Sequence, residues 1–181
     1  MAEMVTLEDA KEQVRRVCVR LAYLHLSFAK TLINELGEEK GRELILKSIK
    51  DYGIRIGEEV KNAATSRCLD NTPDNYKEDL PLYGMHDGIE TVEVDGEKRM
   101  RAYGCVMGKV WNQLGEGKLG RYYCLVDPAK YMAFNPNYKL MHTKVLPDGD
   151  EYCELVLRQT NEREKEDFSS SNKDWLYIDQ K

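Results

Sequence analysis

The first third of the chain carries apolar residues at the three- and four-residue steps of an amphipathic helix. Thr6 precedes Glu8 and Asp9, and this order suits a helix start because a capping hydroxyl and an acidic first turn stabilise the free N–H groups there. One apolar set then continues as far as Gly37: Val14, Val17, Leu21, Leu24, Phe28 and Leu32. The pattern predicts one long helix over about 6–36 with these side chains on its apolar face.

A second helix is predicted from about 38 to 67. Its apolar face carries Leu44, Ile45, Ile49, Tyr52, Ile56 and Val60. Gly53 and Gly57 each cost such a helix about 1 kcal/mol relative to alanine, which makes sense if another backbone packs closely against them. We therefore expect an antiparallel helical hairpin with the two glycines at the contact between its helices.

The second half of the chain contains two patterns typical of β-hairpins. Segments 89–94 and 98–105 flank Asp95-Gly96, a dipeptide suited to the positive φ angles of a tight turn. Segments 138–146 and 151–158 flank a second turn sequence, which contains Pro147 and Gly149. Both hairpins are expected to join one antiparallel sheet.

The remaining segments complete the predicted architecture. Residues 106–114 and 119–134 are predicted to be helical, and 70–88 to be an irregular connection. Residues 1–159 are therefore expected to form one α+β domain, an N-terminal helical hairpin packed with a small antiparallel sheet of about four strands and further helices. Residues 160–181 are predicted to be a polar C-terminal tail with a small apolar tip, the alternative being a regulatory or partner-binding segment.

Length, charge and composition narrow the class of protein. A chain of 181 residues is long enough for one domain with a proper core. The net charge of -5 leaves no basic footprint for nucleic acid. No run of about 18 apolar residues is present, and the acidic start of the chain does not resemble a signal peptide. We expect a cytoplasmic protein with a small-molecule substrate as partner, no nucleic acid and no membrane, and we leave a homo-oligomer open.

The cysteines indicate thiol chemistry rather than disulfides. There are five, an odd number in a chain without an export signal: Cys18, Cys68, Cys105, Cys124 and Cys153. No two have the C-x2-C spacing of a structural zinc site, so we expect no metal and no cofactor unless the fold gathers Cys105, Cys124, Cys153 and His142. Motifs of serine hydrolases, nucleotide-binding proteins and zincins are also absent.

Cys124 and Asp127 are the strongest candidates for a chemical site. They lie three residues apart in a predicted helix, so a thiol and a carboxylate point to the same side. The alternative is a small buried hydrophobe beside an acid that caps a turn. Cys153 lies on the more apolar side of the last strand, and His142 shares its face with Leu140, as either a general base or a core histidine. The other histidines, His25 and His86, are predicted to be structural or solvated.

Five short motifs follow one another in order: Tyr103-Gly-Cys105, Trp111-Asn-Gln-Leu-Gly115, Tyr122-Tyr-Cys124-Leu-Val-Asp127, Phe134-Asn135-Pro136 and Gly149-Asp150-Glu-Tyr-Cys153. In this series one cysteine closes a strand, a second precedes an acid by three residues, and a Gly-Asp turn precedes the third. The series resembles that of the L-2-amino-thiazoline-4-carboxylic acid hydrolase family. The Gly-rich second helix is similar as well.

The resemblance implies that a cyclic amidine, 2-amino-thiazoline-4-carboxylate or a related small heterocycle, is opened hydrolytically to an N-carbamoyl amino acid. For the thiazoline the product would be N-carbamoyl-cysteine, which belongs to cysteine metabolism. Attack would occur at the carbon between the ring nitrogen and the sulfur. In one version Cys124 is the nucleophile, with Asp127 and His142 handling protons; in the other, Asp127 activates a water molecule.

Three further residues would contact the substrate under this reading: Cys105, Asn135 and Cys153. The same general layout is similar to small-molecule-binding domains of the 4-vinyl reductase type. That similarity implies an alternative without catalysis, a sensor of a small organic ligand or a metal. A structural partner protein, acting through the long helices or the tail, is the third reading.

Overall fold

The computed structural model describes residues 4–77, 79–171 and 173–179. Within them the helices are α1 (Leu7–Leu36), α2 (Glu38–Ser66), α3 (Val106–Gln113), α4 (Gly117–Cys124), α5 (Val126–Phe134) and α6 (Glu162–Ser169). The strands are β1 (Gly88–Val94), β2 (Glu97–Tyr103), β3 (Tyr138–Lys144) and β4 (Tyr152–Gln159). This is the α+β architecture that the sequence predicts. None of the described helices is long and apolar enough to cross a membrane.

The two N-terminal helices begin and end within a residue of their predicted bounds. The Thr6 side chain accepts a hydrogen bond from the Asp9 amide at 3.1 Å, which caps α1 as expected. Gly37 alone connects the two helices, with a φ of 81°. Beyond it, a Cβ atom on Gly41 would lie only 2.7 Å from the Cα of Ile33, so Gly41 permits the close contact between the two helices.

Gly53 and Gly57 do not lie at that contact, and this prediction was wrong. A Cβ on Gly53 would meet the Cβ of Ala129 at 2.5 Å, and one on Gly57 would meet that of Ala133 at 2.7 Å. Both glycines therefore face α5. Two glycines one turn apart show that some backbone comes close, but the local sequence does not show which one.

The apolar face of α1 is also rotated from its predicted position. Three of the expected core residues are well exposed: Val17 at 56%, Leu24 at 53% and Phe28 at 65%. Smaller residues dominate the buried side instead: Cys18, Ala22, Leu26 and Ala29. The indole of Trp111 explains this choice, because it donates a hydrogen bond to the Ala22 carbonyl at 3.2 Å and needs small side chains beside it.

Both hairpins join a single four-stranded antiparallel sheet with the order β1-β2-β4-β3, as predicted. The first turn uses Asp95 and Gly96 at φ angles of 52° and 78°. Strand β2 ends at Tyr103, two residues earlier than expected, so Cys105 does not close the strand. It immediately precedes α3 instead.

The two faces of the sheet differ in character. The face toward the helices carries Ala102, Cys153 and Leu155 in one apolar cluster. On the other face Glu154, only 2% exposed, accepts hydrogen bonds from Arg99 at 3.0 Å and Arg101 at 2.8 Å. Burial would raise the pKa of Glu154, but hydrogen bonds from Thr143 and the two arginines outweigh it and lower the pKa to about 2.

The predicted helix over 119–134 is two helices that meet at Leu125. Pro128 explains the break, because it has no amide hydrogen to bond the carbonyl of Cys124 and its ring would clash with that carbonyl. The Leu125 amide bonds the Tyr122 carbonyl at 3.3 Å instead, in a tighter turn. Cys124 and Asp127 consequently lie on different helices, at the end of α4 and the start of α5.

The C-terminal segment contributes to the core. Asn161 caps α6, its side chain accepting a hydrogen bond from the Glu164 amide at 2.9 Å, and the Glu164 side chain bonds the Asn161 amide in return. Phe168, Trp175 and Ile178 are buried in the cluster that includes residues of α2 and α5. The expected apolar tip does pack on the protein, whereas the stretch before it is an ordered helix rather than a solvated tail.

Candidate active site

A buried histidine joins two carboxylates between the sheet and the helices. His142 lies on β3 and faces inward with Leu140, as predicted, and it is 3% exposed. Its Nε2 atom is 3.4 Å from a carboxylate oxygen of Asp127, and its Nδ1 atom is 3.0 Å from one of Asp179. The main-chain amide of His142 also donates to Asp179 at 2.7 Å. The geometry is that of an Asp127–His142–Asp179 chain.

The charge of this chain follows from competition between burial and its carboxylates. Burial alone would lower the pKa of His142, because it disfavours the imidazolium form. Asp179 and Asp127 outweigh burial and raise that pKa to about 9. At neutral pH His142 is therefore a cation held between two acids.

Asp179 belongs to the C-terminal segment, and the sequence reading missed it. Its carboxylate accepts a hydrogen bond from Arg121 Nη2 at 2.7 Å, in addition to its contacts with His142. Arg121 lies 3.3 Å from Asp148 as well, and its Nη1 atom is buried with no hydrogen-bond partner in the described part of the chain. The only local signal for Asp179 is its position directly after the apolar tip.

Of the three residues in the Asp127–His142–Asp179 arrangement, Asp127 is the one that reaches the surface. Its side chain is 21% exposed, and it is 2.9 Å from Lys130, which also lies 2.8 Å from Asp79. Burial would raise the pKa of Asp127, but Lys130 and His142 together hold it well below its usual range. Asp127 is therefore an ionised carboxylate between two cations, with one edge accessible to solvent.

Cys124 lies nearby but is not prepared as a thiolate. It packs against the same apolar cluster as Cys105, beside Ala102 and Val145. Burial raises the pKa of the Cys124 thiol well above its ordinary value, although Arg121 acts in the opposite direction. The sulfur that the sequence favoured as nucleophile is consequently a neutral thiol.

Cys105 and Cys153 lie in the same apolar cluster. The Cys153 side chain lowers the pKa of Cys105 well below its ordinary value, although burial opposes this. The Gly108 amide at the start of α3 and the ring of His86 lower the pKa of Cys105 further. The pKa of Cys153 is raised by the Cys105 side chain and by burial. His86 lies in the segment that the sequence predicts to be irregular.

Asn135 is separate from the other candidates. It caps the C-terminal end of α5, and Asp127 lies near the start of that helix, so about 12 Å of helix separates them. Its amide nitrogen donates to the Asn71 carbonyl at 2.7 Å, and its oxygen accepts from the Asn137 amide at 2.9 Å. These contacts give Asn135 a structural role at a helix end.

A cleft of about 420 Å³ opens at the surface. It lies between the start of α1 and segment 82–89, and its walls include Lys11, Tyr83, His86 and Val106. The Nδ1 atom of His86 is buried with no hydrogen-bond partner among the described residues. Over those residues no group of three or more His, Cys, Asp or Glu side chains is arranged to hold a metal ion.

These features define an α+β domain with a buried carboxylate–histidine–carboxylate chain beside a group of thiols. The family model for L-2-amino-thiazoline-4-carboxylic acid hydrolase matches residues 15–157, more than half of the chain. The protein belongs to this family, as the ordered motifs indicated. No curated protein and no solved structure matches the chain. Asp179 lies outside the matched range, although it completes the Asp127–His142–Asp179 arrangement.

Proposed function

We propose that the protein is a hydrolase that opens a cyclic amidine, 2-amino-thiazoline-4-carboxylate or a related small heterocycle. Membership of the family supports the reaction class. The observation that carries the proposal is the Asp127–His142–Asp179 chain, because only its Asp127 end has an exposed edge where a substrate can meet it. A carboxylate with one accessible edge and a buried support meets the geometric condition for taking a proton from a bound water molecule.

The charges around Asp127 suit such a substrate. The thiazoline carries a carboxylate and, when protonated, a cationic amidinium with N–H donors arranged like those of a guanidinium. Lys130 lies 2.9 Å from Asp127 and provides a cation for the substrate carboxylate. The ionised Asp127 attracts the amidinium and holds the attacking water beside it.

In the proposed reaction a water molecule attacks the carbon between the ring nitrogen and the sulfur. Asp127 takes one proton from this water, and the amidinium becomes a neutral tetrahedral intermediate. The remaining hydroxyl proton passes to the sulfur as the C–S bond breaks and the carbonyl forms. Asp127 then releases its proton to solvent, which its low pKa favours. His142 acts as a positioning residue, because its positive charge keeps Asp127 ionised.

The neutral state of Cys124 supports water rather than this thiol as the nucleophile. The two versions of the mechanism predict different effects of mutation on turnover. With 2-amino-thiazoline-4-carboxylate as substrate and N-carbamoyl-cysteine measured by mass spectrometry, Asp127→Asn should lose turnover by about 10²-fold or more. Cys124→Ala should keep most of it.

Cys68→Ala is the matched control, because Cys68 is exposed and should tolerate the change without loss of rate. Thermal midpoints of all variants establish that they are folded. If Cys124→Ala abolishes turnover and Asp127→Asn retains it, the thiol is the nucleophile and the water version is wrong. If the wild type opens neither the thiazoline nor related cyclic amidines, the proposed function itself is wrong.

A further inference from the structure

We propose that an apolar stripe on α1, formed by Val17, Leu24 and Phe28, pairs with the same stripe of a second copy of the chain in an antiparallel dimer. The proposal concerns the association of the protein. It does not depend on the hydrolytic function, because the residues assigned to the proton transfer lie on α5, β3 and the C-terminal segment rather than on α1.

The three side chains of the apolar stripe share one side of α1. They follow one another at steps of seven and four residues, which are the steps of a helix that contacts another helix along its length. Each is more than half exposed, whereas the opposite side of α1 carries the small buried residues of the core. Within the described part of the chain no element covers the stripe, and an apolar surface of this kind marks an interaction site.

The stripe carries one charge of each sign near its two ends. Arg20 follows Val17 by three residues, and Glu35 follows Phe28 by seven, so both lie on the same side of α1 as the apolar residues. Both side chains are exposed, and neither forms an ion pair with any other described residue. The surface is therefore basic toward the start of α1 and acidic toward its end.

This order of charges favours a second copy as the partner, in antiparallel orientation. With a two-fold axis midway between Leu24 and Phe28, Leu24 of each copy meets the partner's Phe28. Arg20 then lies about 4.5 Å along the helix axis from the partner's Glu35, a distance that an arginine side chain spans. A parallel pairing would place like charges opposite each other and is disfavoured.

The charges also decide against a membrane surface as the occupant. An amphipathic helix that lies on anionic lipid carries lysine and arginine beside its apolar face. Here Glu35 lies on the apolar side itself, and the whole chain has a net charge of -5, which anionic lipid repels. A second copy, by contrast, provides a partner for both charges.

Analytical ultracentrifugation of the full chain measures the association. Three apolar side chains from each copy make a small interface, so we expect a dimer with a Kd of about 1 to 100 μM. Leu24→Lys should raise the Kd by about 100-fold or more, because it places a cation on each side of the two-fold axis. Thermal midpoints establish that each variant is folded.

Exchange of the two charges tests the orientation. Arg20→Glu and Glu35→Arg should each raise the Kd by about tenfold, whereas an equimolar mixture of the two variants should associate about as tightly as the wild type. In the mixture one stripe carries two acids and the other two bases. Lys98→Glu is the matched control, because it reverses an exposed cation on β2 and should leave the Kd unchanged.

Three results would overturn the proposal. The first is a chain that stays monomeric up to about 300 μM, whether or not it binds vesicles of phosphatidylserine and phosphatidylcholine. The second is a dimer that Leu24→Lys does not weaken. The third is a mixture of Arg20→Glu and Glu35→Arg that associates no more tightly than either variant alone.

Discussion

Replacing Asp179 with asparagine separates its charge from its shape. The asparagine oxygen can still accept the main-chain amide of His142, as the carboxylate does at 2.7 Å. The negative charge that balances the His142 imidazolium and the Arg121 guanidinium is lost. Asp179→Asn should therefore destabilise the protein through charge, while the packing of the C-terminal segment is kept.

The size of this loss of stability and its dependence on pH follow from the charge of His142. Its pKa of about 9 in the folded protein, against 6.5 for an ordinary histidine, corresponds to about 3 kcal/mol at 1.36 kcal/mol per pH unit. Because the folded pKa is the higher one, this stability is complete below pH 6.5 and is lost as the pH rises through 9. Leaving a buried charge without its partner costs about 3 to 5 kcal/mol. The variant should therefore lose several kcal/mol at pH 6 and clearly less above pH 9.

Urea denaturation between pH 6 and 9.5 measures this difference by linear extrapolation of the free energy of unfolding. Asp148→Asn is the matched control: Asp148 also contacts Arg121, at 3.3 Å, but its side chain is 41% exposed, so its loss should change stability by less than about 0.5 kcal/mol at every pH. NMR titration of the His142 ring protons reports its pKa directly. A stability difference that does not change with pH, or a wild-type His142 pKa near 6.5, would refute the reasoning.

Two further predictions concern packing. Gly57→Ala should lower the free energy of unfolding by about 1 to 3 kcal/mol, because the new Cβ would lie 2.7 Å from that of Ala133 and crowd the Lys130 carbonyl. Gly88→Ala is the control: its new Cβ meets nothing within 4 Å, so the same denaturation series should show a change of less than about 0.5 kcal/mol. Leu26→Ala should lower the free energy of unfolding by about 2 to 5 kcal/mol, whereas Phe28→Ala, on the exposed side of α1, should change it by less than about 0.5 kcal/mol. Equal losses would show that α1 is rotated from the orientation described.

The local elements could be predicted because their signals are local. The cap at Thr6, the single-glycine connection and the Asp95-Gly96 turn each depend on a few adjacent residues and their backbone preferences. The alternation that turned His142 toward the helices needs only the two-residue period of a strand. The family motifs are short stretches of adjacent residues too, and these stretches contain Cys105, Cys124, Asp127 and Cys153.

What the sequence could not decide are the contacts between distant elements. The two glycines of α2 indicate that a backbone packs closely against them, but they do not show that it belongs to α5. The buried side of α1 could not be predicted because Trp111, beside which its small residues pack, lies far along the chain. The break at Leu125 required weighing Pro128 against a continuous apolar pattern.

The sequence by itself determined the first two helices, the two hairpins, the single sheet and the family. Only the tertiary structure joined Asp179 to His142, 37 residues apart, and placed Cys105 in the same apolar cluster as Cys153. It also raises the pKa of the Cys124 thiol through burial and lowers that of Cys105 through its neighbours. The physical reason is that a pKa depends on burial and on charges reached through space, whereas a sequence pattern records only spacing along the chain.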